Sequence, residues 1–416
     1  MFYSRARREA NVDKYILILG SLDTKGHEVD FLRRRILGEG VKPLVIDTGV
    51  LHHPTIAADI DRQTVATAGG SSIDALIRNR DKTRALVVMA DGTRRILLDY
   101  FKRGEMGGVL SIGGSRGTAL GTRAMQALPV GVPKLMVSTM ASGRNAFGPY
   151  VGTKDITLMH SVADIQGINA ITRTIFTNAA AAIVGMSRVG APLKRGDKRV
   201  LSASMLGVTT ELISQIQELM ASDNCEVIGF HAVGTGGQAM EELIECGLVE
   251  GVFDITPGEM TQLYVQGMYS AGPDRMRAGS RRGIPQVIAP GGIDFIIEGA
   301  LENLPANYRD RKVMSHTPSI TLVRTSREEM AAVAELIADR LSESCGPVAV
   351  ILPLKSFGWF SMEGQPLYDP QSDQAFTAAF KKRISGKVSV IEIDTHLNDP
   401  QVGEIAAQLM RDMLNQ

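Results

Sequence analysis

The chain has 416 residues, of which 44% are hydrophobic and 22% are charged, a composition typical of globular proteins. This length exceeds what one ordinary hydrophobic core supports, so we expect two domains. Its 45 Lys and Arg residues balance 45 Asp and Glu residues, which argues against nucleic acid or another large polyanion as the partner.

Cysteine usage and hydropathy bear on the compartment. Cys225, Cys246 and Cys345 are far apart and form no CxxC pair, so they predict neither a disulfide framework nor a structural zinc site. The first residues, MFYSRARREANVDK, lack the apolar segment of a secretory signal. No uncharged apolar run of about 18 residues occurs, so we expect no membrane span and no membrane partner. These features favour a cytoplasmic protein.

The first part of the chain predicts strands that alternate with helices. YILILG predicts a buried strand, HEVDFLRRRILGEG has helical spacing, and PLVIDTGV closes a β-α-β unit. From Thr55 to Gly104 the spacing is mostly helical, although ALVVMA fits a strand as well. GVLSIGG and VPKLMVST predict two more strands around the helix GTALGTRAMQAL, and a small-residue helix runs through NAAAAIVGMS.

The polar segment RVGAPLKRGDKR interrupts this pattern and predicts a domain boundary, with domains at 1–190 and 191–416. Beyond it, strands in RVLSASM, CEVIGFH, VEGVFDIT, IPQVIAPGG, SITLVRTS, PVAVILPL and VSVIEIDT alternate with helices such as ELISQIQELM and REEMAAVAELIADRL. The predicted fold class is α/β, with two Rossmann-like, doubly wound domains built on mostly parallel sheets.

Glycine turns follow several of the predicted strands, where open α/β sheets bind their ligands. In GGSRGT the turn precedes a helix, so its free N–H groups and the positive helix end suit a phosphate. The turn has neither the Walker spacing nor a strict GxGxxG, and a tight helix start without a ligand is the alternative. The candidate phosphate-binding residues are Gly113, Gly114, Ser115, Gly117 and Thr118.

Polar residues after two further strands extend this candidate site. In SLDTKG, Lys25 could neutralise a phosphate, while Asp23 could hold a magnesium ion or a sugar hydroxyl, or cap the next helix with Thr24. Asp47 ends the next strand, where dinucleotide-binding folds place a ribose-binding acid, although a turn-forming role explains it equally. STMASG is a candidate second wall for the same ligand.

The second half contains a comparable turn. GTGGQAMEE predicts a helix start that could receive an anion through Gly234, Thr235, Gly236 and Gly237. If the two turns face each other, a phosphorylated ligand would lie in a cleft between the domains.

Candidate catalytic groups are few. His231, at a strand end, is the best candidate general acid or base, with a structural histidine as the alternative; Asp23 is the second catalytic candidate. Further polar loop residues are Glu259, Asp274 and Arg275, although capping at the surface explains them just as well. Trp359 is a candidate packing or subunit-interface residue.

Seven segments in the same order resemble one protein family: ILGSLDTKGHE, GGSRGT, LPVGVPKLMVSTMASG, DITLMHSVADIQGIN, GTGGQAMEELI, AGPDRMRAGSRRGIPQVIAPGGIDF and LND after EIDTH. It is the ATP-binding domain family typified by the N-terminal half of the tomato mosaic virus resistance protein, which has many bacterial members. The resemblance runs from about Tyr15 to Gln416 and implies two Rossmann-like domains that bind ATP with Mg²⁺.

The resemblance also implies positions for the ligand. The phosphates would lie near Gly113, Gly114, Ser115, Gly117 and Thr118, surrounded by Thr24, Lys25, Thr139, Ser142 and Gly143. Arg116 stands where such turns often have glycine, so it could add a phosphate contact or narrow the pocket. The plant protein carries a further barrel-type domain, and some relatives have that barrel as a separate chain, which makes such a protein a candidate partner.

Three functions fit these features. The first is an ATP-using enzyme of small-molecule metabolism, such as a kinase or ligase acting on a carboxylate or sugar acid. The second is a protein that responds to a nucleotide without turning it over. The third is an ATP-independent lyase or hydrolase that uses His231 or His396 and binds a substrate carboxylate or phosphate on the glycine turns. We expect a homo-oligomer in each case.

Overall fold

A computed structural model describes residues 14–142, 148–190 and 196–416. These residues form two units, one on each side of residues 191–195. Across the described ranges, none of the helices combines the length and the apolar content that crossing a bilayer requires. Gly143, a predicted site residue, lies outside the described residues.

The described part of the first unit contains five strands and seven helices. In chain order they are β1 (Tyr15–Gly20), α1 (Leu22–Gly38), β2 (Lys42–Asp47), α2 (Arg62–Ala68), α3 (Ile73–Asn79), α4 (Lys82–Lys102), β3 (Met106–Gly113), α5 (Ser115–Met125), β4 (Lys134–Ser138), α6 (Gly148–Val151), β5 (Thr157–His160) and α7 (Ala170–Val189). The ambiguous ALVVMA segment is helical and lies within α4, which begins at Asp81 with a carboxylate cap on the N–H groups of Thr83 and Arg84.

All five strands of the first unit are parallel, in the order β2-β1-β3-β4-β5. The strand order therefore reverses between β1 and β3, and this topological switch point is where doubly wound sheets bind their ligands. Successive residues of β1 pack into different cores on opposite faces: Leu17 and Leu19 belong to one, Ile16 and Ile18 to the other. Burial on both faces explains why this strand is a continuous apolar run.

The described part of the second unit contains nine strands and seven helices. In chain order they are β6 (Arg199–Met205), α8 (Thr210–Ala221), β7 (Cys225–His231), α9 (Thr235–Glu245), β8 (Gly251–Asp254), α10 (Glu259–Tyr264), α11 (Ala278–Arg282), β9 (Gln286–Ile288), β10 (Phe295–Glu298), β11 (Val313–Thr317), β12 (Ile320–Arg324), α12 (Arg327–Ser342), β13 (Val348–Pro353), α13 (Pro370–Arg383), β14 (Ser389–Ile393) and α14 (Pro400–Leu414).

The second unit repeats the winding of the first and adds a small sheet. Its parallel sheet has the order β14-β13-β9-β8-β6-β7, so its switch point lies between β6 and β8. Strands β10, β12 and β11 form a separate antiparallel sheet. SITLVRTS is therefore a strand, as predicted, but it lies in the antiparallel sheet, and the sequence did not predict its partners β10 and β11. The predicted α/β class with two mostly parallel sheets is confirmed.

Candidate functional site

A cavity of about 430 Å³ lies at the carboxyl ends of β1, β2 and β3 in the first unit. We call it the first cavity. Mostly polar residues that follow β1 and β3 line one part of it. The rest is lined by residues from α3, α4 and the loop after β2, which are mostly apolar apart from the charged residues at the junction of α3 and α4. The cavity thus lies at the switch point of the sheet, where the fold brings the segments SLDTKG and GGSRGT together.

The GGSRGT turn brings the end of β3 against the start of α5. A Cβ atom on Gly113 would lie 2.6 Å from the Cα atom of Gly117, so only glycine fits there. Gly114 is the N-cap of α5 and supplies no side-chain cap, and the first backbone bond runs from the Thr118 N–H to the Gly114 carbonyl at 2.8 Å. The preceding N–H groups of α5 therefore lack acceptors within the helix. They leave an open anion-binding position on the cavity wall.

The structure separates the predicted residues of this turn into two groups. Gly113, Gly114, Ser115 and Gly117 line the first cavity, together with Arg116. Thr118 does not line it: its hydroxyl lies 2.6 Å from the Ser138 hydroxyl and 3.3 Å from the Gly113 carbonyl, and its side chain is completely buried. Thr118 therefore connects β3 to β4 inside the fold, instead of offering its hydroxyl to a ligand as predicted.

The turn after β1 also lines the first cavity. Lys25 departs from helical geometry at φ −128° and ψ 19°, so the first turn of α1 is separated by a kink from the rest of the helix. The Lys25 ammonium donates to the Ile165 carbonyl and lines the cavity, where its other hydrogens are available to an anion. Thr24 also lines the cavity, and its hydroxyl donates weakly to the Ser21 carbonyl at 3.4 Å.

Asp23 has both a structural and an unassigned oxygen. Its Oδ2 accepts the N–H groups of Leu51 and His52 at 2.7 and 3.1 Å, which holds the loop after β2. Its Oδ1 is buried and has no hydrogen-bond partner among the described residues. Because Asp23 lines the first cavity, this oxygen is a candidate contact for a cation or a donor group.

Asp47 has a structural role in this unit. Its Oδ1 accepts the N–H groups of Leu22 and Gly49 at 3.0 and 2.8 Å, so it caps the start of α1 across the sheet. Burial raises the pKa of Asp47, and the two N–H donors oppose that rise. Asp47 is not among the described lining residues of the first cavity. This favours the turn-forming alternative over ribose binding.

The loop after β4 lies beside the glycine turn, as the neighbouring positions of β3 and β4 require. Thr139 donates its N–H to the Gly113 carbonyl at 3.3 Å, and its hydroxyl would be 3.7 Å from a Cβ atom on Gly114. Ser142 is exposed and lies 3.2 Å from the imidazole of His160. Neither residue is part of the described cavity lining.

The second predicted anion site is already filled by the protein itself. Gly234, at φ +88°, is the N-cap of α9, a backbone conformation that favours glycine. The N–H groups of Gly234 and Gly237 donate to Oε1 of Glu259 at 2.6 and 3.1 Å. A Cβ atom on Gly237 would overlap the same carboxylate. The glycine turn GTGG, which includes Thr235 and Gly236, thus binds the protein's own Glu259 carboxylate. This leaves no place for the predicted ligand there.

Glu259 belongs to a buried charge cluster around Arg275, which is completely inaccessible to solvent. Arg275 donates to Glu259 at 2.6 Å, to Glu241 at 3.3 Å and to both oxygens of Asp254 at 2.5 and 2.7 Å. Burial acts to lower the pKa of Arg275, but the surrounding carboxylates raise it well above its ordinary value. The surface-cap interpretation of Glu259 and Arg275 is therefore wrong, because both side chains are completely buried. The sequence gave no sign of this cluster, since the partners of Arg275 lie 16 or more residues away in the chain.

His231 ends β7 at the edge of the second sheet and is exposed. It lines a second cavity of about 550 Å³, to which residues after β6, β13 and β14 also contribute. We call this the second cavity. Within the described ranges, no group of three or more His, Cys, Asp or Glu side chains is arranged to hold a metal ion. The prediction that a ligand lies between the domains stays a prediction.

Comparison with known proteins gives matches over nearly the whole chain. Residues 14–192 match the model of the N-terminal domain of an uncharacterised protein family, UPF0261, and residues 198–414 match its C-terminal domain. A UPF0261 protein of Clostridium tetani is 39% identical over 404 residues, which cover 97% of this chain and 100% of the relative. One of Rhizobium meliloti is 36% identical with the same coverage.

A plant protein is also similar. The ToMV resistance protein Tm-1 of Solanum lycopersicum is 32% identical over 324 residues, which cover 76% of this chain and 43% of that protein. The two domain models leave only short segments unmatched, and the bacterial relatives match along their entire length. On these grounds the chain belongs to the UPF0261 family.

Proposed function

We propose that this protein binds ATP with Mg²⁺ in the first cavity, with the phosphates on the N-terminus of α5. The observation that carries the proposal is the contrast between the two glycine turns. The turn at Gly234 is occupied by the Glu259 carboxylate, whereas the turn at Gly114 has no cap and lines a cavity. A helix start that is open at a switch point suits a phosphate group.

The charges around the first cavity support a polyanionic ligand. Four basic residues line it, against two acidic ones; the basic residues are Lys25, Arg80, Lys82 and Arg116, and the acidic ones are Asp23 and Asp81. Lys25 follows β1, and Arg116 lies within the glycine turn that follows β3. An arginine offers a planar fork of donors and a lysine a mobile point charge, and both are common partners of phosphate.

The apolar side of the first cavity supports a nucleotide over a bare phosphate. Leu76, Ile77, Leu86 and Met89 line it, and Ile77 is 44% exposed. A purine has two apolar faces that such side chains can cover. The volume of about 430 Å³ falls in the ordinary range for small-molecule sites, roughly 300–1,000 Å³.

Asp23 is the residue that fits the magnesium ion. Mg²⁺ in nucleotide sites is commonly held by one or two carboxylates together with phosphate oxygens and water. The buried Oδ1 of Asp23 has no partner among the described residues and is available for such a role. The ion would neutralise phosphate charge, while Lys25 and the α5 amides orient the phosphates.

The remaining alternatives differ in what the protein does with the nucleotide. We favour an ATP-using enzyme that acts on a small carboxylate or sugar acid, in which positioning and charge stabilisation do most of the work. A protein that responds to the nucleotide without turnover is the second candidate, because the same cavity serves both. The ATP-independent lyase or hydrolase loses support, since Glu259 fills one of the two turns that it requires.

The test is thermal unfolding of the full chain with Mg-ATP, ADP, AMP, NAD or phosphate, each alone. A ligand at one hundred times its Kd stabilises the native state by about 2.7 kcal/mol, which corresponds to a rise in Tm of roughly five to ten degrees. We expect Mg-ATP to give the largest rise. Absence of a rise with every nucleotide would contradict the proposal.

Gly114→Asp is the sharpest variant for this test. Gly114 has an extended backbone, and a Cβ atom there would meet only the Thr139 hydroxyl at 3.7 Å, so aspartate fits and caps α5. Its carboxylate would occupy the phosphate position, as Glu259 does at the other turn. We expect an intact fold without a response to Mg-ATP. Gly185→Asp, on the exposed side of α7, is the control for charge. A full response in Gly114→Asp would exclude α5 as the phosphate site.

Phosphate release from ATP, screened with small acids, then distinguishes an ATP-using enzyme from a protein that responds to the nucleotide without turnover.

A further inference from the structure

The second cavity has features of a ligand site that the proposed function does not use. It lies at the carboxyl edge of the second parallel sheet, beyond β6 and β7, and the antiparallel sheet of β10, β11 and β12 covers it. Doubly wound sheets bind ligands at this edge. Its volume of about 550 Å³ suits a small molecule.

Aromatic side chains form much of its wall. The Phe360 ring packs edge-on against His316 at 5.9 Å and against Phe295 at 6.4 Å between ring centroids. Tyr269 lines the same cavity, and Trp359 lines it while remaining 50% exposed. Edge-to-face aromatic packing of this kind accommodates a further planar ring. The walls therefore favour a ligand with a flat ring over a flexible chain.

Unpaired donors face this cavity. His231 and His316 line it, are exposed, and have no hydrogen-bond partner within the described ranges. Gly207 and Val208 line it at the start of the 3-10 turn that precedes α8, where N–H groups lack helical acceptors. The described lining residues include no lysine or arginine, and their one acidic side chain is Glu211, which is exposed in the first turn of α8. A singly charged carboxylate meets less repulsion from Glu211 than a phosphate would, and the imidazole and backbone N–H groups can donate to it.

One acceptor is also unpaired. The Nδ2 of Asn398 donates to the Val208 carbonyl at 2.9 Å, which orients the amide. Its Oδ1 is buried and has no hydrogen-bond partner in the described part of the chain. Because Asn398 lines the cavity, a ligand that carries a hydroxyl donor would satisfy this oxygen.

We propose that the second cavity is a binding site for a small hydroxylated aromatic carboxylic acid, held by aromatic walls, the imidazoles of His231 and His316, and Oδ1 of Asn398. The site lies wholly within the second unit and is distinct from the first cavity.

Trp359 provides a direct readout because it is the only tryptophan in the chain. The experiment titrates the full chain with 4-hydroxybenzoate, benzoate or phenol, following Trp359 emission and, independently, the heat of binding. We expect saturable binding of 4-hydroxybenzoate, weaker binding of benzoate, which lacks the hydroxyl, and the weakest binding of phenol, which lacks the carboxylate. Equal affinities for 4-hydroxybenzoate and phenol, or no saturable binding of either acid, would overturn the proposal.

Matched variants test the imidazoles. His231→Phe and His316→Phe keep a ring and remove the N–H donors at exposed positions, so we expect each to weaken 4-hydroxybenzoate binding by about tenfold. His53→Phe is the control, since His53 is exposed and lies in neither described cavity lining. Unchanged binding in both variants would overturn the assignment, as would Trp359 emission that changes on dilution of the protein alone, which would show that a second copy covers the cavity.

Discussion

Glu259 shows how one buried residue decides the chemistry of a glycine turn. GGSRGT and GTGGQ both place glycines between a strand and a helix, and both have N–H groups that favour an anion. At the second turn the anion is Glu259, the first residue of α10, which is balanced by Arg275. No side chain plays this part at the first turn among the described residues. The open turn is therefore the one that we assign to a ligand.

The buried position of Glu259 predicts a clear stability effect. Glu259→Gln keeps the shape but removes a charge from the Arg275 cluster and weakens the bonds to Gly234 and Gly237. We expect the free energy of unfolding to fall by about 1–3 kcal/mol, measured by denaturant titration. Glu245→Gln is the control, because Glu245 pairs with Arg281 at an exposed site, and we expect less than about 1 kcal/mol there. Equal effects would contradict the cluster's importance.

Asp373 predicts a pH dependence. Burial raises the pKa of Asp373 to about 7; Arg324, at 2.5 Å, opposes this rise, and the buried Asp294 adds to it. In the unfolded chain the pKa of aspartate is about 3.9. Between pH 4 and pH 7 the folded state keeps the Asp373 proton that the unfolded chain releases. The contribution of this carboxyl group to the free energy of unfolding is therefore full below pH 4 and is lost as the pH rises to 7.

The variant Asp373→Asn replaces the titrating carboxyl group with an amide that does not titrate. We expect the wild-type free energy of unfolding to fall relative to that of Asp373→Asn between pH 4 and 7, by up to about 4 kcal/mol. Denaturant titrations across that range measure the difference. Asp339→Asn, at the exposed pair with Arg383, should keep the wild-type profile. Parallel profiles for wild type and Asp373→Asn would refute the assignment.

At the scale of an element, the start of α5 depends on close contact with β3. A Cβ atom on Gly113 would meet the Gly117 backbone at 2.6 Å, whereas one on Gly114 would meet only a hydroxyl at 3.7 Å. We expect Gly113→Ala to lower the free energy of unfolding by about 1–3 kcal/mol, and Gly114→Ala to change it by less than about 1 kcal/mol. Denaturant titration of both variants tests this. Equal losses would show that the contact between β3 and α5 is not the constraint.

The same scale shows which elements the sequence could predict. Long apolar runs such as YILILG and PVAVILPL predicted strands correctly because both faces of their sheets are covered. ALVVMA was ambiguous because a short apolar run suits a buried strand and a buried helix face alike. Strands β10 and β11 were missed because VMSHT is mostly polar and FIIE is only four residues long.

At the scale of the molecule, each unit has its own parallel sheet and its own apolar cores. We therefore expect fragments 14–190 and 196–416 each to unfold cooperatively, and Mg-ATP to raise the Tm of the first fragment alone. Calorimetry of the two fragments tests this. A fragment that unfolds without a transition would show that the units depend on one another. A Tm rise confined to the second fragment would move the nucleotide site.

The sequence by itself determined the α/β class, the alternation of strands and helices, and the place of GGSRGT and SLDTKG at strand ends, because these follow from local periodicity and glycine spacing. Only the tertiary structure decided which polar groups are free. Thr118 bonds to Ser138, Asp47 caps α1, and Glu259 fills the second turn. Each partner is distant in sequence or lies on another strand, and hydrogen bonds across such distances leave no periodic signal in the chain.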